Sequence, residues 1–162
     1  MVGSSAFLIS NYYSWFQTKI TFMPTLSPYI HFNGNAEEAF GFYKTVFGGS
    51  FAKQLRYKDI SSAEYQIPES DANRLMHISL VIGKNSYLMG SDVMTIMGKV
   101  TENDNRNTIS INADSREEAD KLFNGLSAAG NIEMPMSDGP LGAYFGMFTD
   151  KYGVQWMVNY EG

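Results

Sequence analysis

The sequence predicts an α+β domain made of two similar modules, each with the order strand, helix, strand, strand, strand. Two observations lead to this prediction. The segment 35–49 (NAEEAFGFYKTVFGG) is typical of a helix with marked ends, and 115–130 (SREEADKLFNGLSAAG) repeats its design, including the run Glu-Glu-Ala. Each helix also follows a short apolar run and precedes three strand-like runs. An internal repeat of this length sets the architecture, because neighbouring copies of one unit bury their apolar faces against each other.

The first helix has start and stop signals in single residues. Asn35 can cap the first turn through its side-chain oxygen, and Glu38 can reach back to complete a capping box. Gly48 and Gly49 can adopt the left-handed backbone conformation that ends a helix. Apolar side chains recur at helical spacing and form one stripe, which consists of Ala36, Ala39, Phe40, Tyr43, Val46 and Phe47.

The second helix has equivalent signals. Ser115 and Glu118 form a second potential capping box. Its apolar stripe consists of Ala119, Leu122, Phe123 and Leu126. The repeat therefore places the two modules at about 26–92 and 106–160, inside one domain that covers 23–162.

The strands are placed by runs of apolar and β-branched residues that end at turn residues. In the first module they are predicted at 28–32, 50–57, 74–82 and 86–90. In the second module they are predicted at 107–113, 132–136, 142–148 and 154–160. Each module should therefore form a small sheet with one helix to cover one of its faces.

Alternation along the strands assigns faces in the second module. Ile109 and Ile111 point to one side of their strand. Trp156 and Val158 likewise share one side of theirs, and we expect a helix to cover both apolar faces. The opposite faces are polar or mixed, with Ser110, Asn112, Gln155 and Met157. Two curved mixed sheets with such faces would enclose a cleft, which is a common place for a ligand.

Composition excludes several kinds of partner and site. The chain has 12 basic and 17 acidic residues, a net charge of −5, and its lysines and arginines are scattered, so we expect no nucleic-acid partner. It has no cysteine, which excludes disulfides and thiolate metal sites and favours a cytoplasmic location. No apolar run approaches the roughly 20 residues that span a bilayer, so we expect no membrane partner.

Residues 1–22 stand apart, because they have no counterpart before the second module. One interpretation is an N-terminal extension outside the domain. The other is an arm that packs on a partner subunit through its aromatic residues, namely Tyr12, Tyr13, Trp15 and Phe16.

The paired modules and three segments resemble the PhnB-like branch of the vicinal oxygen chelate superfamily, which includes glyoxalase I and bleomycin-resistance proteins. The segments are 28–49 (PYIHFNGNAEEAFGFYKTVFGG), 76–92 (MHISLVIGKNSYLMGSD) and 142–160 (GAYFGMFTDKYGVQWMVNY). The resemblance implies a glyoxalase-like fold and a homodimer. Members of this branch often carry a demethylubiquinone methyltransferase label, but this sequence has no Gly-rich loop for a nucleoside cofactor, so we do not expect methyl transfer.

The resemblance also implies where a metal would lie, since the metal-dependent members take ligands from the first and last strands of each module. In this sequence those positions are Pro28, a residue near Met89, Thr108 or one of its neighbours, and Met157. Proline, a hydroxyl and two thioethers do not suit a hard metal ion, which needs carboxylate, imidazole or amide ligands. We therefore expect no metal and no other cofactor.

His77 is the best candidate for a chemical role, as a donor to a ligand or as a general base, because the polar face of its strand should border the cleft. Ser79 shares that face. The alternative for His77 is a hydrogen-bonded histidine with a structural role. We expect His31 to lie under a helix as a structural residue, and Asp92 to cap a turn rather than bind a cation.

The remaining candidates for ligand binding are strand residues. Ser110, Asn112 and Gln155 can donate and accept hydrogen bonds on a cleft wall, or can be ordinary polar positions. Apolar lining, or simple core filling, is the role expected for Tyr87, Met89 and Met157.

The leading hypothesis is metal-independent binding of an unknown small molecule. The rival hypothesis is a metal-dependent or His77-dependent enzyme of the same superfamily, of the lyase, isomerase or dioxygenase type. A regulatory or scaffold protein that binds only other proteins is a third possibility. The sequence leaves open whether the chain is an enzyme.

Overall fold

The computed structural model describes residues 25–83, 85–102, 106–139 and 142–162 of the chain. The predicted N-terminal extension at 1–22 lies outside these residues. Within the described ranges, no helix is long and apolar enough to cross a membrane.

The chain folds into two modules with the same order of elements, as predicted. The first contains β1 (Tyr29–Phe32), α1 (Ala36–Phe47), β2 (Phe51–Arg56), β3 (Leu75–Val81) and β4 (Tyr87–Asp92). The second contains β5 (Ile109–Asn112), α2 (Arg116–Leu126), β6 (Asn131–Asp138), β7 (Ala143–Thr149) and β8 (Gln155–Glu161). Short 3-10 turns follow β2 and β4.

Each module forms one four-stranded mixed sheet, and the two sheets have equivalent strand orders. Sheet A has the order β1-β4-β3-β2, and sheet B has the order β5-β8-β7-β6. In each sheet the first strand runs parallel to the last strand of its module, and the other described pairs are antiparallel. The predicted α+β class and internal repeat are therefore confirmed.

Both helices lie between the two sheets and share one core, to which both predicted apolar stripes contribute. Tyr43 of α1 reaches the second module, and its ring centroid lies 5.6 Å from that of Trp156 on β8. The helices approach closely where Val46 of α1 lies against Gly125 of α2. A side chain at position 125 would collide with Val46. Each sheet therefore has one face on the shared core and one face that no described helix covers.

A buried carboxylate joins the two modules. Asp150, 4% exposed, accepts hydrogen bonds from the Tyr43 hydroxyl at 2.7 Å and from the Trp156 indole N–H at 2.8 Å. Its other oxygen accepts the backbone N–H groups of Tyr152 and Val154 at 2.8 and 3.0 Å. Burial, followed by the nearby carboxylate, raises the pKa of Tyr43 above its ordinary value, so its hydroxyl remains a donor.

The start of α1 differs from the prediction. Asn35 makes no side-chain capping bond. Instead Asp92, at the end of β4, accepts the backbone N–H of Ala36 at 2.9 Å with one oxygen and that of Leu75 at 2.9 Å with the other. A buried carboxylate from a distant strand thus replaces the local cap, because its charge favours the helix N-terminus. This arrangement also fits the expected capping role of Asp92.

The start of α2 follows the predicted local pattern. The Ser115 hydroxyl accepts the backbone N–H of Glu118 at 3.1 Å. The Glu118 carboxylate accepts the backbone N–H of Asp114 at 2.8 Å, one residue before the expected Ser115. The two equivalent helices therefore begin with different chemistry.

Candidate functional site

The uncovered face of sheet A is the first candidate site. Alternate residues of its four strands point to this side. They form two rows that run across the sheet from β1 through β4 and β3 to β2. One row contains Tyr29, Met89, Ser79 and Lys53. The next row contains His31, Ser91, His77 and Leu55. We call these eight residues, together with Tyr87, open face A.

The position of His31 corrects the sequence prediction, which placed it under a helix. Ile30 and Phe32 take the core side of β1, and Phe32 is 3% exposed and packs edge-on against Phe40 at 6.1 Å. His31 is consequently on open face A, where its Nδ1 lies 3.1 Å from the Ser91 hydroxyl. The prediction took Pro28 as a residue on the cleft side, which put His31 on the helix side. Pro28 alternates with Ile30 and Phe32, however, and those two residues face the core.

Tyr29 brings the two histidines of the chain into one cluster. Its ring centroid lies 5.2 Å from that of His31 and 5.8 Å from that of His77. The Tyr29 hydroxyl lies 3.4 Å from Nδ1 of His77. Both imidazoles have their Nδ1 engaged, so both can present Nε2 to a ligand.

The electrostatics of His77 favour its neutral form. Burial lowers the pKa of His77, and the Lys53 ammonium on the neighbouring strand lowers it further. A neutral imidazole both donates and accepts hydrogen bonds, which suits ligand binding or proton transfer near neutral pH.

The uncovered face of sheet B has different chemistry. We call it open face B, and it includes Thr108, Ser110, Asn112, Glu133, Met134, Phe145, Met147, Thr149, Gln155, Met157 and Asn159, with the neighbours Glu133 and Met134 at an irregularity of β6. Its polar groups bond to one another: the Thr108 hydroxyl donates to Gln155 at 2.5 Å, and the Gln155 amide donates to Glu133 at 2.8 Å. The Ser110 hydroxyl donates to Asn159 at 3.0 Å.

A groove of about 1210 Å³ lies between the edge strands β1 and β5. Its apolar floor includes Phe47, Leu122 and Trp156, and its rim carries Tyr29 and His31. The predicted binding residues that line it are Tyr87, Ser110, Asn112 and Gln155. A smaller cavity of about 560 Å³, beside Gly130 and Glu133, also includes Gln155.

Every predicted ligand-binding residue therefore lies on an uncovered sheet face, but the structure divides the set. His77, Ser79, Tyr87 and Met89 belong to open face A, and Ser110, Asn112, Gln155 and Met157 belong to open face B. Tyr29, Lys53 and Ser91 were not among the predicted site residues, and His31 was predicted on the opposite face. Alternation counted from Phe32 would have placed Tyr29 and His31 on the uncovered side of β1, but strand pairing is needed to bring them beside His77 and to add Lys53 and Ser91.

The donor set does not fit the metal that the superfamily resemblance implies. Met89, Thr108 and Met157 lie on the uncovered faces, but thioethers and a hydroxyl are poor ligands for hard metals. Among the described residues, no group of three or more His, Cys, Asp and Glu side chains is arranged to hold an ion. Asp92, which could have joined His77, is instead occupied with two backbone N–H groups.

A family model described as 3-demethylubiquinone-9 3-methyltransferase matches residues 24–159. The structure is similar to that of protein PA1353 from Pseudomonas aeruginosa, with 39% identity, a TM-score of 0.73, and coverage of 86% of this chain and 98% of that one.

Two further solved structures have the same fold at lower identity. A putative 3-demethylubiquinone-9 3-methyltransferase, PhnB protein, from Bacillus cereus is 23% identical, with a TM-score of 0.64 and coverage of 85% and 99% of the two chains. A glyoxalase/bleomycin resistance protein/dioxygenase family enzyme from Burkholderia phytofirmans PsJN is 16% identical, with a TM-score of 0.53 and coverage of 82% and 95%.

Proposed function

Because this chain belongs to the family described as 3-demethylubiquinone-9 3-methyltransferase, the PhnB-like branch of the vicinal oxygen chelate superfamily, we propose that it binds a small molecule without a metal. The proposed site is open face A, extended by the neighbouring groove. The main support is the cluster of Tyr29, His31, His77 and Ser91, in which polar side chains project from a sheet face that no described helix covers.

A homodimer is part of the proposal. Open face B includes apolar side chains, such as Met134 at 39% exposed, that a second protomer could cover. Burying such side chains favours association. Light scattering coupled to size exclusion should give twice the monomer mass. A cytoplasmic location, supported by the absence of cysteine, completes the proposal.

Methyl transfer is not proposed, despite the family description. The sheets are small and mixed, with parallel pairs only between the first and last strands of each module. Among the residues that the structure describes, neither sheet contains the parallel strand–crossover–strand unit that presents a glycine-rich loop to a nucleotide-type cofactor.

A His77-dependent enzyme is the second candidate. The observation in its favour is the neutral imidazole of His77 beside the Tyr29 hydroxyl, a pair that could move a proton. Mass spectrometry of a bound compound after incubation separates the two candidates, because a binding protein returns it unchanged. Conversion that stops in His77→Gln would establish the enzyme.

The test of the proposal is ligand binding with metal content controlled. Protein purified without chelator is subjected to elemental analysis, and a thermal-shift panel of small molecules is run with and without EDTA. We expect compounds that stabilise the protein equally in both conditions and bind more weakly to His77→Gln. Gln54→Ala, on the helix-facing side of β2, is the matched control and should bind normally.

Two results would contradict the proposal. One is a stoichiometric metal that disappears in His77→Ala. The other is a panel without any stabilising compound, together with a dimer in which both open faces and the groove are filled by the second copy. The latter would favour a protein that binds only protein partners.

A further inference from the structure

One part of open face A is rich in hydrogen-bond donors. Lys53 and Ser79 are directly opposite each other on β2 and β3, and His77 is two residues along β3 on the same face. Neighbouring strands are about 4.8 Å apart and alternate residues about 6.6 Å apart, so the three side chains border one small area. We call these three residues the donor triangle.

The Ser79 hydroxyl is the unusual member of the donor triangle. Ser79 is 5% exposed, and among the described residues its hydroxyl has no hydrogen-bond partner. Every fully buried side-chain nitrogen or oxygen of the described residues does have a partner. The Ser79 hydroxyl therefore keeps a small accessible area on open face A, between Lys53 and Met89.

Lys53 and His77 complete the donor triangle. Lys53 forms no ion pair among the described residues, unlike Arg56, Arg74 and Arg116. Because Nδ1 of His77 is engaged by the Tyr29 hydroxyl, Nε2 is the ring nitrogen left for a ligand, and it donates a hydrogen bond in the tautomer that carries the proton there. Among the described residues of β1, β2, β3 and β4, no Asp or Glu side chain lies on open face A. In a chain of net charge −5, this carboxylate-free area favours an anion.

We propose that the donor triangle binds an oxyanion of the small-molecule ligand, either a carboxylate or a phosphoryl group. The inference rests on the proposed function and names the chemical class of its ligand. The Lys53 ammonium supplies the charge, and the Ser79 hydroxyl and His77 Nε2–H supply directed hydrogen bonds, which are stronger when the acceptor is charged.

The test is a titration of the intact protein followed by backbone amide NMR. The probes are inorganic phosphate, acetate and tetramethylammonium chloride, each at matched ionic strength. We expect saturable shifts at residues 53, 77 and 79 with phosphate or acetate. Saturation with phosphate alone assigns a phosphoryl group, and saturation with acetate assigns a carboxylate.

Variants test the contribution of each donor. Lys53→Met should weaken oxyanion binding by about tenfold, because a hydrogen bond to a charged group is lost, and Ser79→Ala by about fivefold. Lys53→Arg should retain binding. Lys44→Met is the matched control, since it removes the same charge from α1, where the ammonium lies over the Phe51 ring. Lys53 is exposed, so its variants should fold normally.

Three outcomes overturn the inference. They are the absence of saturable oxyanion binding, shifts located away from the donor triangle, and equal loss of affinity in Lys44→Met and Lys53→Met. If tetramethylammonium, or a neutral compound from the thermal-shift panel, binds open face A while phosphate and acetate do not, the oxyanion class is wrong and the proposed function stands. If no probe and no panel compound binds, both fail.

Discussion

Open face A and open face B occupy equivalent positions in the repeat, yet their side chains behave differently. On open face B the hydroxyl and amide groups of Thr108, Gln155 and Ser110 bond to neighbours on the same face. On open face A the Ser79 hydroxyl has no partner among the described residues, and both histidines and Lys53 project there. The repeat preserves the core side of each strand, while the uncovered sides of the two sheets carry different polar groups.

Asp150→Ala tests how the two modules are joined, and it should have the largest effect. This change leaves the Tyr43 hydroxyl, the Trp156 indole and two backbone N–H groups without their acceptor. We expect a loss of about 3 kcal/mol or more in the free energy of unfolding, measured in urea. Asp120→Ala removes one partly buried bond to Tyr144 and serves as the control, with a loss of about 1 kcal/mol. Equal losses of unfolding free energy in the two variants would show that Asp150 is not important for holding the two modules together.

The two helix starts give the next largest effect. Asp92→Ala leaves the buried N–H groups of Ala36 and Leu75 unpaired, so we expect a loss of about 2 kcal/mol. Ser115→Ala removes an exposed local cap and should cost about 1 kcal/mol. Urea unfolding measures both. A larger loss of unfolding free energy in Ser115→Ala than in Asp92→Ala would contradict the proposed difference between the two helix starts.

The smallest effect concerns protonation on open face A. The pKa of His77 should lie below the ordinary value of 6.5 in an NMR titration, first because of burial and then because of Lys53. Lys53→Met should raise it, whereas Lys44→Met should not. A His77 pKa that is unchanged in Lys53→Met would contradict the proximity of the two groups.

The same shift has a consequence for stability. As pH falls below 6.5, the unfolded chain takes up a proton on His77 before the folded chain does, so the free energy of unfolding decreases. His77→Gln should therefore lose less stability than the wild type between neutral and mildly acidic pH. The effect should be small, because the ring is partly exposed.

Sequence periodicity was sufficient for the parts of the fold that depend on local spacing. The stripes beginning at Ala36 and Ala119 pack into the core, with Val46 and Phe47 partly buried, and Trp156 and Val158 face the core as expected. The cap of α1 could not be predicted, because Asp92 is 56 residues away from Ala36 in sequence.

The candidate site was only partly predictable for a related reason. Alternation within one strand placed His77 and Ser79 on the same face, but it could not show that Tyr29 and His31 lie beside them. That proximity depends on the parallel pairing of β1 with β4, which is a long-range contact. Lys53 is added by the antiparallel pairing of β2 with β3.

The most direct test of the account is to map a bound ligand on the protein. The compound that gives the largest thermal shift in EDTA is titrated while backbone amide NMR signals are followed. We expect saturable shifts concentrated at residues 29, 31, 77, 79 and 91 on open face A, with those on open face B limited to the groove residues 110, 112 and 155. Shifts confined to open face B, or binding that requires an added metal, would contradict it.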